Sequence, residues 1–166
     1  MNANFKQKLN YIKAFAFDMD GVLTDGSLIV TEDAEPWRTM NIKDGLAIHK
    51  AVDAGYKIVV ITGSSSEAVK KRLNYLGVTE IYSKVKDKEI VLKQFAETHN
   101  LSMQEILYMG DDLPDIKPMT MAGIAACPYD AVAEVRDLSL YISDKPGGKG
   151  CVRDVISQVM KLQNKW

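Results

Sequence analysis

The 166-residue chain has little of what several classes of protein require. Its formal net charge is −1, from 21 Lys and Arg against 22 Asp and Glu, so it lacks the basic excess of a nucleic-acid surface. Its only cysteines are Cys127 and Cys151, which argues against a disulfide framework and predicts reduced thiols. No apolar run is long enough for a membrane span, and residues 1–13 do not resemble a signal peptide. We therefore expect a cytoplasmic protein that binds neither nucleic acid nor membrane.

Histidine is equally scarce. His49 and His99 fall in predicted helices outside every motif, so we expect both to be structural or surface residues. Clustered carboxylates without His or Cys ligands favour a hard, oxygen-binding cation such as Mg²⁺. Repeats, low-complexity segments and a linker are also missing. A chain of this length and composition predicts one domain, spanning residues 1–166.

What the chain does have is an alternation of short apolar runs with amphipathic segments. The predicted strands are residues 14–17, 56–61, 80–82, 106–109, 123–127 and 140–142. The predicted helices are residues 4–12, 43–54, 64–76, 88–99, a short one near 114, 131–136 and 151–162. This alternation predicts a three-layer, Rossmann-like α/β fold, a parallel sheet with helices on both faces. Two extended pieces around a polar turn at 31–35 predict a projecting β-hairpin, the flap, at about 27–40.

Acidic residues follow the first predicted strand in an unusual arrangement. Asp18 and Asp20 lie two residues apart, which puts them on the same side of an extended chain, where their charges repel. Thr62 follows a second core strand, and Asp111 follows a third. Sites in open parallel sheets lie beyond the carboxyl ends of the strands. The topology therefore predicts that these residues are neighbours.

These motifs resemble those of the haloacid dehalogenase-like phosphatases. The resemblance is carried by Asp18-Met19-Asp20-Gly21-Val22-Leu23-Thr24, Ile61-Thr62-Gly63 and Gly110-Asp111-Asp112-Leu113-Pro114-Asp115. The chain is more narrowly similar to the capless 3-deoxy-D-manno-octulosonate 8-phosphate phosphatases. That similarity is carried by Thr24-Asp25-Gly26, Met40-Asn41-Ile42-Lys43-Asp44-Gly45 and Gly147-Gly148-Lys149-Gly150-Cys151-Val152-Arg153-Asp154. It covers the chain from about residue 14 to 155.

The resemblance implies a phosphoric monoester hydrolase that works through an aspartyl-phosphate. Asp18 is then the nucleophile, and Asp20 protonates the leaving alkoxide and later takes a proton from water. Mg²⁺ is held by the side chains of Asp18 and Asp111 and by the backbone carbonyl of Asp20. Asp112 and Asp115 lie in the outer shell of this metal.

Other residues are expected to bind the phosphoryl group. Thr62 supplies a hydroxyl, and the backbone N–H groups at Gly63 and Ser64 point from a helix start. The spacing of Lys88 before an apolar helix matches the family lysine. A solvated face made of Lys84, Lys86 and Lys88 is the alternative interpretation of that segment.

The implied substrate is 3-deoxy-D-manno-octulosonate 8-phosphate, a precursor in lipopolysaccharide synthesis. Arg153 is a candidate to meet its carboxylate, with Arg72 and Lys43 as weaker candidates. The intervals from Asp20 to Thr62 and from Thr62 to Asp111 are too short for a cap domain. The resemblance implies instead a homotetramer in which a neighbouring subunit covers each active site. The flap and the glycine-rich loop 146–150 are the segments expected to take part.

Three alternatives stay open. The first is that the substrate is a nine-carbon keto-deoxy sugar acid 9-phosphate. Phosphatases of that type tend to have a glutamate directly after the Thr-Gly pair, and the eight-carbon group commonly has a basic residue there. Ser64 occupies this position and matches neither. A non-catalytic oligomerisation module is a different class, although both Asp18 and Asp20 are present. A phosphomutase is less favoured, since it would usually need a cap to retain its intermediate.

Overall fold

The computed structural model describes residues 3–32 and 36–166, in which six short strands form one parallel sheet. The strands are β1 Ala14–Phe17, β2 Lys57–Ile61, β3 Glu80–Tyr82, β4 Ile106–Met109, β5 Ile124–Cys127 and β6 Tyr141–Ile142. Their order is β3-β2-β1-β4-β5-β6. The direction of strand addition reverses beside β1, which places β2 and β4 on either side of it. A crevice at such a reversal is the usual ligand site of this architecture.

Helices cover both faces of the sheet. They are α1 Ala3–Leu9, α2 Ile42–Asp53, α3 Glu67–Tyr75, α4 Lys88–Thr98, α5 Ile116–Met121, α6 Ala133–Leu138 and α7 Cys151–Leu162. Phe15 and Phe17 of β1 pack with the apolar sides of α1, α2, α3 and α7. The alternate residues Ala14 and Ala16 pack with α4, α5 and α6. This alternation follows from the two-residue period of a strand. The structure confirms the predicted three-layer fold.

Several helix ends differ from their predicted positions because local hydrogen bonds decide them. Ser66 accepts the N–H of Val69 and caps α3, which therefore begins three residues later than predicted. Ser64 instead donates its N–H to the hydroxyl of Thr62, at 3.1 Å. Asn41 caps α2 by accepting the N–H of Lys43 at 2.8 Å. None of the helices in the described ranges is long and apolar enough to cross a membrane.

The flap is an antiparallel hairpin with minimal pairing. Ile29 and Trp37 exchange both backbone hydrogen bonds, at 3.1 and 3.0 Å, and a further bridge joins Thr24 to Met40. Residues 33–35 of the predicted turn lie outside the described residues. Val30 is 85% exposed and Trp37 is 64% exposed, so the hairpin presents large apolar side chains to solvent. In the described part of the chain, the flap, α2 and β2 fill the interval from Asp20 to Thr62, and no cap domain is present there.

Each of the two histidines lies beside an acidic residue. His99 pairs with Glu80 across 2.5 Å, and His49 lies 3.6 Å from Asp53 on the surface of α2. Neither lines the cleft described below.

Candidate active site

A cleft of about 560 Å³ opens at the carboxyl ends of β1, β2 and β4. It brings together residues that are distant in sequence because each follows one of these strands: Asp18 follows β1, Thr62 follows β2 and Asp111 is two residues beyond β4. Nine residues that the sequence assigned to the site line this cleft: Asp18, Asp20, Thr62, Gly63, Ser64, Lys88, Asp111, Asp112 and Asp115.

Lys88 is a buried cation at the floor of the cleft. Its side chain is 4% exposed, and Nζ donates to Oδ1 of Asp18 and to Oδ1 of Asp115, both at 2.8 Å. Burial alone would lower the pKa of Lys88, but the charges of Asp18 and Asp115 outweigh it and raise that pKa. Lys84 and Lys86 are exposed. Lys88 is therefore part of an ion-pair network and does not belong to a solvated basic face.

Asp115 anchors this network. Its Oδ1 accepts hydrogen bonds from Lys88 and from the hydroxyl of buried Tyr108, at 2.8 Å each. Its Oδ2 accepts the backbone N–H of Asp111 at 3.2 Å. Both oxygens are thus already occupied by donors, which fits a residue that orients the loop of Asp111 from outside the metal's coordination sphere.

The carboxylates fit a divalent cation. Asp18, Asp111 and Asp115 each offer a carboxylate oxygen within 4.8 Å of the others. Oxygen ligands of this kind suit a hard divalent cation. Oδ1 of Asp111 is buried without a hydrogen-bond partner among the described residues. Since buried polar atoms are normally paired, this oxygen is free to accept a metal. Asp112 is exposed at the rim and caps the next turn by accepting the N–H of Leu113 at 2.7 Å.

The electrostatics of the cluster also favour a cation. Burial, with the nearby charge of Asp115, raises the pKa of Asp18 to about 6 despite the opposing effect of Lys88. Burial and the charges of Asp18 and Asp115 raise the pKa of Asp111 to about 8. The ionised forms are therefore costly without a counter-ion.

A single wide turn, Met19–Leu23, links β1 to the flap and passes against Asp111. Gly21 has φ of +89°, and a Cβ there would lie 2.0 Å from Oδ2 of Asp111. Only glycine accommodates both the backbone angle and the close approach. The turn after β1 needs a glycine here because its backbone passes this close to Asp111.

The glycine-rich loop 146–150 supports this turn. A Cβ on Gly147 would lie 1.9 Å from the carbonyl oxygen of Gly21, and the N–H of Gly148 donates to the carbonyl of Val22 at 2.9 Å. Gly147 and Gly148 are buried, and the loop is not among the described residues that line the cleft. Within this single chain the loop contacts the turn and not the cleft, and its part in covering a neighbouring subunit's pocket stays a prediction. Its glycines serve close packing against the turn.

Asp20 is held by side chains from three segments. Arg38 of the flap donates Nε to Oδ1 at 2.7 Å and Nη2 to Oδ2 at 3.3 Å. The hydroxyl of Ser64 donates to Oδ2 at 2.6 Å, and that of Thr24 donates to Oδ1 at 3.4 Å. Burial would raise the pKa of Asp20, but the hydrogen bonds of Arg38 and Ser64 and the charge of Arg38 lower it. Sequence analysis missed Arg38, since no motif marks it and only the folding back of the flap brings it to Asp20.

The two arginines proposed for the sugar are not in the cleft of this chain. Arg72 lies on α3 in a separate groove of about 440 Å³ between α2 and α3, over the ring of Tyr75. Arg153 lies in the first turn of α7, where its backbone N–H donates to buried Asp44 at 2.7 Å and its guanidinium stacks on Trp166.

Metal binding is expected to stabilise the fold more strongly as pH rises. Without a metal, the folded pKa values of Asp18, about 6, and Asp111, about 8, lie above the ordinary 3.8. Protonation of these two carboxyl groups therefore contributes to the free energy of unfolding. That contribution is fully present below about pH 4 and is lost as pH rises through 6 and 8. Mg²⁺ needs the ionised forms, so its effect grows across the same window.

Mg²⁺ is added at one fixed concentration, 100 times its dissociation constant at pH 8, where it should raise Tm by about 5–10 °C. The rise should be less than half as large at pH 5.5. Thermal unfolding with Mg²⁺ or with EDTA at both pH values measures this. An equal rise at both would contradict the assignment of these carboxylates as metal ligands.

Comparisons with known proteins agree with this geometry. Residues 75–154 match a family model described as haloacid dehalogenase-like hydrolase. A curated 3-deoxy-D-manno-octulosonate 8-phosphate phosphatase from Yersinia pestis is 28% identical over 159 residues, which are 96% of this chain and 85% of that one.

Two solved structures that hold a metal ion are also similar to this chain. One is 3-deoxy-D-manno-octulosonate 8-phosphate phosphatase from Moraxella catarrhalis, in complex with magnesium ion, phosphate ion and a KDO molecule. It is 34% identical to this chain, with a TM-score of 0.94, and the match covers 98% of this chain and 94% of that one. A cobalt-bound phosphatase from Haemophilus influenzae is 28% identical with a TM-score of 0.92, covering 96% and 93%.

Proposed function

The chain belongs to the haloacid dehalogenase-like hydrolase family and is a phosphoric monoester hydrolase, and from this premise we propose that it hydrolyses 3-deoxy-D-manno-octulosonate 8-phosphate. The products are the free sugar acid and inorganic phosphate. The observation that carries the proposal is the likeness, along nearly the whole of both chains, to an enzyme bound to that sugar acid and phosphate. The buried ion-pair network of Asp18, Lys88 and Asp115 at the strand ends supports it.

The proposed reaction has two displacements. In the first, a carboxylate oxygen of Asp18 bonds to phosphorus, the ester P–O bond breaks, and Asp20 gives a proton to the leaving sugar oxygen. In the second, Asp20 takes a proton from water, which attacks phosphorus as the bond to Asp18 breaks. This restores both carboxyl groups and releases phosphate.

Positive groups offset the charge that spreads over the phosphoryl oxygens. Lys88 supplies a full charge already aimed at Asp18, and the hydroxyl of Thr62 and the N–H groups at Gly63 and Ser64 supply hydrogen bonds. Mg²⁺, when held by Asp18, Asp111 and the carbonyl of Asp20, neutralises negative charge on carboxylates and phosphate. Asp112 and Asp115 keep the ligand loop in place.

The proposed assembly is a homotetramer in which a neighbouring subunit covers each cleft. The support is the flap, whose large apolar side chains Leu28, Ile29, Val30 and Trp37 are exposed in the single chain. Apolar residues gathered on one projecting hairpin are typical of an interface. We also propose a cytoplasmic location, which the two unpaired, buried cysteines support.

Replacing Trp37 with aspartate is expected to dissociate the assembly and to lower kcat/KM about tenfold or more, because a charge then sits where an apolar contact forms. Analytical ultracentrifugation and phosphate release measure the two effects. Tyr11→Asp, an exposed aromatic far from the flap, is the control. A Trp37 variant that is monomeric and fully active would contradict the role of neighbours in covering the cleft.

Phosphate release from a panel of substrates tests the proposed function. The panel contains 3-deoxy-D-manno-octulosonate 8-phosphate, a nine-carbon keto-deoxy sugar acid 9-phosphate and D-arabinose 5-phosphate, each with Mg²⁺ and with EDTA. The eight-carbon acid should have the highest kcat/KM, and EDTA should abolish turnover. Preference for the nine-carbon acid would reassign the substrate. No turnover of any phosphate with Mg²⁺ would favour a non-catalytic module.

A further inference from the structure

Arg38 is a charged residue of the flap whose side chain is almost completely enclosed. Only 4% of it is exposed, although its neighbour Trp37 lies at the surface. Nε and Nη2 donate to the two oxygens of Asp20, and Nη1 donates to the carbonyl of Pro36 at 3.3 Å. This two-pronged contact is the geometry with which a guanidinium recognises carboxylates. The flap thus delivers a preformed carboxylate-binding group to Asp20.

The position of Arg38 is on the leaving-group side of the site. Lys88, which serves the phosphoryl end in the proposed function, donates to Asp18, whereas Arg38 donates to Asp20. Asp20 is the residue that protonates the leaving oxygen in the proposed function. Arg38 touches both oxygens of Asp20 and therefore borders the sugar, which lies beyond the leaving oxygen.

A second cavity gives that part of the substrate room. It measures about 470 Å³ and lies between the flap and the start of α3, lined by residues 36–38 and 66–69. Arg38 touches Asp20 of the cleft and also lines this cavity. The volume is within the range of sites that hold small ligands.

The described part of this chain offers few other cations for a substrate carboxylate. Five aspartates line it, whereas its positive side chains among the described residues are Lys86 and Lys88. Lys88 is already bonded to two carboxylates, and Arg72 and Arg153 lie outside the cleft. A substrate with a carboxylate remote from its phosphate needs a counter-charge at its far end. Arg38 is placed to supply it.

We propose that Arg38 binds the carboxylate of the sugar-acid substrate in exchange for that of Asp20. The inference rests on the proposed function and names the specificity residue of that same site. The exchange replaces one carboxylate in the guanidinium fork with another, so the buried charge stays paired throughout. Ser64 and Thr24 continue to hold Asp20, whose side chain is then released from Arg38 to serve the leaving oxygen. Recognition of the acid and availability of Asp20 are thereby linked.

The test compares wild type, Arg38→Met and Arg38→Lys on an acidic and a neutral substrate. Met keeps much of the apolar stem but removes the fork, so KM for 3-deoxy-D-manno-octulosonate 8-phosphate should rise about 30-fold, as expected for loss of a charged bidentate contact. For D-arabinose 5-phosphate, which has no carboxylate, kcat/KM should fall at least tenfold less than it does for the acid, because that loss reports only the contact of Arg38 with Asp20. Arg38→Lys should be intermediate, since it keeps the charge without the fork.

Product inhibition gives a second readout that does not depend on turnover of the acid. In Arg38→Met, the inhibition constant of the free eight-carbon sugar acid should rise about as much as KM, whereas that of inorganic phosphate should stay unchanged. Arg136→Met, which removes an arginine from α6 far from the flap, is the matched control and should behave like wild type. Thermal unfolding and the Mg²⁺-induced rise in Tm verify that the variants are folded.

The outcomes separate this inference from the function on which it rests. A wild type that does not prefer the acidic substrate overturns the proposed function itself. A wild type that prefers it, with an Arg38→Met variant that loses activity equally on both substrates, overturns the role of Arg38 alone and makes it a support for Asp20. Unchanged KM for the acid in Arg38→Met overturns it as well.

Discussion

Replacing Asp18 with asparagine is expected to lower kcat by at least about 10⁴-fold, since the amide oxygen is a poor nucleophile and no aspartyl-phosphate forms. The substitution is nearly isosteric, and the amide oxygen can still accept the hydrogen bond from Lys88. The fold should therefore persist. Tm without a metal should not fall, because the variant removes a buried negative charge that lies beside Asp115.

Phosphate release, far-ultraviolet circular dichroism and thermal unfolding measure this variant. Asp137→Asn, on the exposed side of α6, is the matched control and should retain full activity. Activity within about tenfold of wild type in Asp18→Asn would remove this residue as the nucleophile. Loss of the folded state would instead show that Asp18 is needed for structure, and the comparison with Asp18→Ala would then separate the two roles.

Replacing Lys88 with methionine is expected to have the second largest effect, on both activity and stability. It leaves Asp18 and Asp115 buried without their shared cation. Removing one partner from a buried ion pair typically destabilises a protein by about 3–5 kcal/mol. Because the charge of Lys88 no longer stabilises the phosphoryl group during its transfer, kcat should also fall by about 10³-fold.

The loss of stability should be partly reversed by Mg²⁺, since another cation near Asp18 lowers the cost of the uncompensated charges. It should also be smaller at pH 5 than at pH 8, because protonation of Asp18 relieves the same repulsion. Denaturant unfolding at both pH values, with and without Mg²⁺, measures this. Lys84→Met is the control from the same lysine-rich segment, and it should match wild type. A Lys88 variant of unchanged stability would contradict the buried network.

Much of the fold could be predicted because its signals are local. The apolar runs at 106–109 and 14–17 are strands with those bounds, since a strand covered on both faces leaves no polar position inside the run. The edge strand at 80–82 also has its predicted bounds, although it is only partly buried. The apolar residues at helical spacing in α7 likewise predicted the bounds that the helix has, Cys151–Leu162. The meeting of Asp18, Thr62 and Asp111 also followed from sequence, because parallel strands bring their carboxyl ends to one edge.

What could not be predicted depends on contacts between distant parts of the chain. Gly147 packs on the carbonyl of Gly21, and Asp44 of α2 caps α7 through the N–H groups of Gly150 and Arg153. Neither contact leaves a periodic signal. Arg38 reaches Asp20 only because the flap folds back by pairing Ile29 with Trp37. Arg72 and Arg153 were candidates for the substrate carboxylate, and they stay predictions, because their places outside the cleft of this chain do not test contacts made in an assembly.

Chemical trapping of the phosphorylated enzyme tests the central claim most directly. Wild type is mixed with Mg²⁺ and 3-deoxy-D-manno-octulosonate 8-phosphate, quenched in acid on the millisecond scale and treated with borohydride, which reduces an acyl phosphate to an alcohol. Peptide mass spectrometry then locates the reduced residue. Homoserine should appear at position 18, only when substrate and Mg²⁺ are both present, and not in Asp18→Asn. Steady release of phosphate with no reduction at position 18, or with reduction at another aspartate, would contradict the account.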